Sequence, residues 1–70
     1  MEYTIPIIFQ KIDYYKIEAD NLQEAVEKAL KEFWSKPEEG YLEDSFEIDS
    51  ILEDNYPNET YDLNKAIQNS

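Results

Sequence analysis

The strongest pattern in this 70-residue sequence is an apolar stripe with the period of an α-helix. Its members follow the spacing i, i+3, i+4, i+7, i+8, i+11 and i+12, and they are Leu22, Ala25, Val26, Ala29, Leu30, Phe33 and Trp34. Asn21, with Glu24 three residues later, resembles a capping box, and Pro37 ends the helix because it has no amide hydrogen to donate. We therefore predict one amphipathic helix over about residues 22–35, with an apolar face that must be covered.

Two segments before this helix have the character of β-strands. Residues 3–9 are rich in β-branched and aromatic side chains, residues 14–19 alternate, and residues 10–13 remain as the hairpin connection. The side chains expected to face the core are Tyr3, Ile5, Ile7, Phe9, Tyr15, Ile17 and Ala19. Because Pro6 has no N–H for a sheet ladder, we expect the first strand to lie at an edge or to turn this position outward.

A third strand is predicted after a turn around Gly40. Residues 45–52 alternate again, with inward Phe46, Ile48 and Leu52 and outward Glu47, Asp49 and Glu53. Further along, Leu63, Ala66 and Ile67 have helical spacing, which predicts a short and marginal helix over about residues 61–68.

Together these elements predict a fold of the α+β class. A chain of this length buries only about 60% of its unfolded surface, so we expect one domain over residues 1–70. A small three-stranded antiparallel sheet is covered on one face by the amphipathic helix, in the order ββαβ, with the short C-terminal helix added. The other sheet face carries Ile8, Tyr14 and Ile51 with nothing to cover it, which makes it a candidate contact surface or dimer seam.

Composition indicates where such a protein works. The chain has no cysteine, and a secreted domain of this size usually needs disulfides or another staple. Its N-terminus lacks the basic leader and apolar stretch of a secretory signal, and no apolar run approaches the length of a membrane helix. We expect a soluble, cytoplasmic protein.

The net charge of -11 is concentrated in the second half of the chain. Residues 1–36 hold seven acids and five lysines, a net charge of -2, whereas residues 37–70 hold ten acids and one lysine, a net charge of -9. A field of this sign repels nucleic acid and anionic membranes and attracts basic protein surfaces. The absence of arginine also argues against direct binding of nucleic acid.

Little chemistry is available for catalysis or metal binding. The chain has neither histidine nor cysteine, the usual acid–base and nucleophilic groups near neutral pH, and a carboxylate pair would need a walled cleft to act on a sugar. The acid pairs Glu43–Asp44 and Glu53–Asp54 lack the glycine-containing loop of a calcium site. We expect no enzyme, no metal and no cofactor.

The acidic half suggests a binding surface for a basic partner. Carboxylates on one strand face repeat about every 7 Å, close to two phosphate steps of a DNA strand, so Glu47, Asp49 and Glu53 are candidates for nucleic-acid mimicry. Flanking acids would extend this array, and they are Glu38, Glu39, Glu43, Asp44, Asp54 and Glu59. Tyr41, Tyr56 and Tyr61 fall in predicted loops among these acids and are candidate interface aromatics. The alternative is that the acids only keep a small protein in solution.

The stretch from Glu18 to Ala29, EADNLQEAVEKA, joins a strand to the helix. With the strand opened by YTIP and the later SFEID, it resembles the DpnD/PcfM-like proteins of phages and mobile elements over about residues 3–53. The resemblance implies a phage or plasmid setting in a bacterial host, in which small acidic proteins are often inhibitors of host defence, including anti-CRISPR and anti-restriction proteins. It carries over no catalytic residues.

The sequence leaves three functions open. The first is an inhibitor that blocks the basic groove of a host nucleic-acid-binding defence protein. The second is a structural or assembly accessory, homodimeric through Ile8, Tyr14 and Ile51. The third is sequestration of a small ligand, which requires a pocket that this composition does not indicate.

Overall fold

The computed structural model has the expected α+β fold, a three-stranded antiparallel sheet with helices. It describes residues 1–9, 11–35 and 46–70. The strands and helices are β1 (Glu2–Phe9), β2 (Lys11–Glu18), α1 (Leu22–Trp34), β3 (Glu47–Ile48), α2 (Ile51–Asn55) and α3 (Leu63–Asn69).

The β1–β2 hairpin is longer than predicted. Its antiparallel register runs from Glu2 opposite Glu18 to Phe9 opposite Lys11, so β2 begins three residues before the predicted start at 14. The prediction of a connection over residues 10–13 is therefore wrong for 11–13, and Gln10 lies outside the described residues. Ile12 faces Ile8 across the hairpin, and such a β-branched cross-strand pair favours pairing over a loop.

β1 is the central strand, in the order β2-β1-β3, so the prediction that Pro6 marks an edge strand is wrong. The Pro6 side chain is also fully buried. The Pro6 carbonyl accepts a hydrogen bond from the Asp49 N–H at 3.1 Å. The Pro6 nitrogen, which has no hydrogen to donate, points toward the same side of the strand, where the pairing with β3 ends. The next N–H on that side, from Thr4, donates to the Tyr56 hydroxyl at 3.0 Å.

The third strand is much shorter than the predicted 45–52. β3 contains only Glu47 and Ile48, and α2 begins at Ile51. The Asp49 side chain causes this change of direction, because its Oδ1 accepts from the Ile51 N–H at 3.1 Å while its carbonyl accepts from the Leu52 N–H at 3.1 Å. Side-chain to backbone bonds of this kind compete with sheet pairing.

One hydrophobic core lies between the sheet and α1. The predicted inward residues of β1 and β2, and Ala19 after β2, are all buried, as is the predicted helix face from Leu22 to Phe33. The predicted cap is confirmed, since Asn21 Oδ1 accepts from the Glu24 N–H at 2.8 Å. Trp34 is half-buried and packs edge-on against Phe46, with ring centroids 5.1 Å apart. Of the predicted inward residues of the third strand, Leu52 is fully buried and Phe46 and Ile48 pack on the core.

The C-terminal helix forms and packs on α1. Asp62 caps it through Oδ1, which accepts from the Lys65 N–H, and Ala66 is buried in the core. Gln23 exchanges two hydrogen bonds with the Asp62 backbone, at 2.7 and 3.2 Å. Hydrogen bonds from Gln23 and Asn69 to the Glu27 carboxylate hold its pKa below the ordinary value. A helix this short is marginal alone, so these contacts explain its stability.

The described helices include none that is both long and apolar enough to cross a membrane.

Replacing Leu52 tests whether residues 46–70 belong to the cooperative core. Leu52 is 0% exposed and its neighbour Ile51 is 44% exposed. We expect Leu52→Ala to lower the free energy of unfolding by about 2–4 kcal/mol, because it leaves a cavity, and Ile51→Ala to cost less than about 1 kcal/mol. Urea unfolding followed by circular dichroism measures both, and equal costs would contradict the packing described for α2.

Candidate functional site

The predicted partner-binding residues lie in two stretches of the chain. Tyr41, Glu43 and Asp44, with the flanking Glu38 and Glu39, lie outside the described residues. The others belong to residues 46–70, which we call the C-terminal segment. This segment holds six acids and one lysine, and the acids are Glu47, Asp49, Glu53, Asp54, Glu59 and Asp62. Its charge therefore remains strongly negative.

Four acidic residues of the C-terminal segment are exposed, Glu47, Glu53, Asp54 and Asp62. Asp62 caps α3. The other three carboxylates make no hydrogen bond or ion pair with any residue that the structure describes. The ion pairs among the described residues all lie in the first half of the chain, and they are Met1 N-terminus–Glu18, Lys11–Asp13 and Lys28–Glu24. The exposed carboxylates of Glu47, Glu53 and Asp54 are thus in no ion pair within the described part of the chain.

The predicted phosphate-like spacing does not occur. Because β3 ends at Ile48, Glu47 lies on a strand, Asp49 lies in a turn and Glu53 lies on a helix. Asp49 is half-buried, and its carboxylate is committed to the Ile51 N–H. The idea of a regular carboxylate array along one strand is therefore wrong, although the concentration of exposed acids remains.

Tyr56 lies in a loop, as predicted, but it has a structural role. Its ring centroid lies 5.0 Å from that of Tyr3, and its hydroxyl accepts the Thr4 N–H. The side chain is half-buried. The Tyr56 hydroxyl therefore provides the acceptor for a backbone N–H of β1 at a position that β3 does not reach.

Glu59 holds the C-terminal segment against the rest of the fold. Its Oε2 accepts from the Tyr3 hydroxyl at 2.8 Å, and its Oε1 accepts from the Leu22 N–H at 2.9 Å. Leu22 is the first residue of α1, so its N–H has no acceptor within the helix. The sequence placed Glu59 only among the flanking surface acids, and no local pattern marks it, because its two partners are 56 and 37 residues away.

A pocket of about 460 Å³ opens to solvent beside Glu59. Its lining consists of Leu22, Glu53, Pro57, Glu59, Thr60, Tyr61 and Leu63. Burial, and then the negative charge of Glu53, raise the pKa of Tyr61 above its ordinary value. The structure thus brings together two of the predicted partner-binding residues, Glu53 and Tyr61, in a pocket that the composition did not indicate.

Within the described ranges, no three acidic side chains come together as a metal site would require. Neither family models, nor curated proteins, nor solved structures provide a match to this chain. The resemblance to DpnD/PcfM-like proteins and the setting that it implies therefore stay predictions.

The Tyr3–Glu59 hydrogen bond predicts a late tyrosine ionisation. The bond to the Glu59 carboxylate, assisted by burial, raises the pKa of Tyr3 from 10.0 to about 12. Because the pKa is raised in the folded state, the stabilisation is complete below pH 10.0 and is lost as the pH rises toward about 12. We expect an ultraviolet titration of the six tyrosines to include a step near pH 12 that is absent in Tyr3→Phe.

Glu59→Gln is the informative variant for this titration, because it keeps an acceptor oxygen but removes the charge. We expect it to move the late step to lower pH. Glu53→Gln, which removes the charge beside Tyr61, should leave the Tyr3 step in place. A wild-type titration with no late step would contradict the contact.

Proposed function

We propose that this chain is a non-enzymatic binding protein that covers a basic surface of a partner protein. The observation that carries the proposal is the set of exposed carboxylates of Glu47, Glu53 and Asp54, which form no ion pair with any described residue. Such charges attract a lysine- and arginine-rich surface and accelerate encounter with it. Because these carboxylates form no ion pair with a described residue, binding a partner breaks no such pair.

The way the C-terminal segment is held supports this proposal. Leu52 and Ala66 are buried in the core, and Glu59 and Gln23 join the segment to β1 and α1. Charges carried on a docked segment lose less conformational freedom on binding than charges on a free tail. A preorganised acidic surface of this kind suits stoichiometric blocking of a partner.

We further propose that the partner is a nucleic-acid-binding protein of a bacterial host, and that the chain inhibits it in the host cytoplasm. The support is the sign and density of the charge, since a groove that binds nucleic acid is rich in lysine and arginine. The phage setting rests on the sequence resemblance alone. Because the carboxylates do not follow strand spacing, we propose groove blocking by charge and shape rather than a copy of phosphate geometry.

The absence of histidine and cysteine from the sequence supports a non-enzymatic function. The pocket holds two carboxylates, but both oxygens of Glu59 already accept structural hydrogen bonds. A group so committed is poorly suited to exchange protons with a substrate.

Affinity capture tests the proposed function. We expect the immobilised protein to retain a nucleic-acid-binding protein from a bacterial lysate at low salt, and added salt or duplex DNA should release it. Replacing Glu47 and Asp54 with lysine should reduce the retained amount about tenfold or more.

A double lysine replacement of Glu2 and Glu32 is the matched control. These acids are also exposed, lie in the first half of the chain and have no ion pair within the described residues, so the net charge changes equally. Equal losses in the two double variants would show that only total charge matters and would contradict a specific acidic surface.

A second function, assembly through the open sheet face, is favoured by an exposed aromatic side chain. Tyr14 is 61% exposed, and half-buried Ile8 lies on the same sheet face, two positions along the register from it. Ile51, which is 44% exposed, lies on α2, so the prediction that it belongs to this sheet face is wrong. An exposed aromatic group beside a half-buried apolar one suits a self-complementary contact. If the capture retains only copies of this chain, and sedimentation shows a dimer, this function replaces the first.

A further inference from the structure

The pocket beside Glu59 is lined by both apolar and acidic side chains. Leu22 at the start of α1 contributes apolar surface, as do Pro57 and Leu63 of the C-terminal segment. Tyr61 adds an aromatic ring, and Glu53 and Glu59 add carboxylates. The volume of about 460 Å³ is within the usual range for ligand pockets of about 300–1,000 Å³.

The charge of this pocket selects its ligand. Two carboxylates and no lysine are found among its lining residues, so an anion is repelled and a neutral apolar ligand gives the Glu53 carboxylate no partner. The Glu53 carboxylate accepts no hydrogen bond from another described residue, and each Glu59 oxygen has a further acceptor position, because a carboxylate has about four. A cation satisfies these groups.

We propose that the pocket receives an arginine side chain of the basic partner, an inference that rests on the proposed function. The aliphatic stem would pack on the apolar walls, as long cationic side chains do elsewhere. The guanidinium would donate to Glu53 and lie near the Tyr61 ring, which combines a charge-assisted hydrogen bond with a cation–π contact. A planar guanidinium suits a carboxylate beside a ring better than a lysine ammonium does.

The position of Glu53 gives this site a matched control. Glu53 and Asp54 are neighbours on α2, are both exposed and carry the same charge, but only Glu53 lines the pocket. Replacing each with its amide removes one negative charge and changes the long-range field almost equally. A difference between the two variants therefore reports the pocket and not the general acidity.

N-acetyl-L-arginine amide is a suitable probe, because the guanidinium is its only charge. We expect a titration followed by two-dimensional amide NMR to shift the signals of Leu22, Tyr61 and Leu63. N-acetyl-L-citrulline amide, which has a similar shape without the charge, should shift them much less. No shift at these positions up to about 50 mM arginine amide, or equal shifts with both probes, would overturn the proposal.

The variants sharpen this titration. We expect Glu53→Gln to weaken binding of the arginine amide about threefold to fivefold and Asp54→Asn to leave it nearly unchanged. Tyr61→Leu keeps an apolar wall and removes the ring, so it should also weaken binding. Amide signals far from residue 61 that match those of the wild-type protein would show that the variant is folded. Equal affinities of the Glu53→Gln and Asp54→Asn variants would overturn the site.

The affinity capture separates this proposal from the proposed function. If the partner is retained equally by Glu53→Gln and Asp54→Asn but lost on the Glu47 and Asp54 replacement, the arginine site is wrong and the acidic binding function stands. If the arginine amide binds in the pocket but no basic protein is retained, the site stands as a guanidinium site and the proposed function is wrong.

Discussion

The Glu59 carboxylate is the contact on which the arrangement of the C-terminal half depends. One oxygen accepts from Tyr3 on the central strand, and the other accepts from the first N–H of α1. A charge-assisted hydrogen bond is stronger than a neutral one, and a carboxylate at a helix N-terminus also complements the helix dipole. One side chain thus joins the C-terminal segment to both the sheet and the covering helix.

The Glu59 contact also determines which side chains of the C-terminal segment are exposed. With Glu59 committed to the interior, Tyr56 lies on Tyr3, and the chain from Pro57 to Leu63 passes the start of α1 and forms one side of the pocket. α2 then carries Glu53 and Asp54 outward. The exposed acids are consequently held on a packed segment, which is why we interpret them as a binding surface rather than as a solubilising tail.

The sequence predicted those parts of the fold whose signal is local. The period of the α1 stripe and the alternation around Ile5 and Ile17 identified the buried residues, since periodicity follows directly from which face is covered. Alternation failed after Ile48, because the Asp49 side chain turned the chain into α2. The pocket and the role of Glu59 were not predictable, since they join residues far apart in the chain, and no local pattern marks such contacts.

Hydrogen exchange at the Leu22 amide tests the central contact most directly. This N–H lies in the first turn of α1, where only the Glu59 carboxylate accepts it, and the neighbouring Gln23 amide has no acceptor among the described residues. We expect slow exchange at Leu22 and fast exchange at Gln23, with Leu22 becoming fast in Glu59→Ala while the amides within the β1–β2 hairpin stay slow. Equally fast exchange at Leu22 and Gln23 in the wild-type protein would contradict the account.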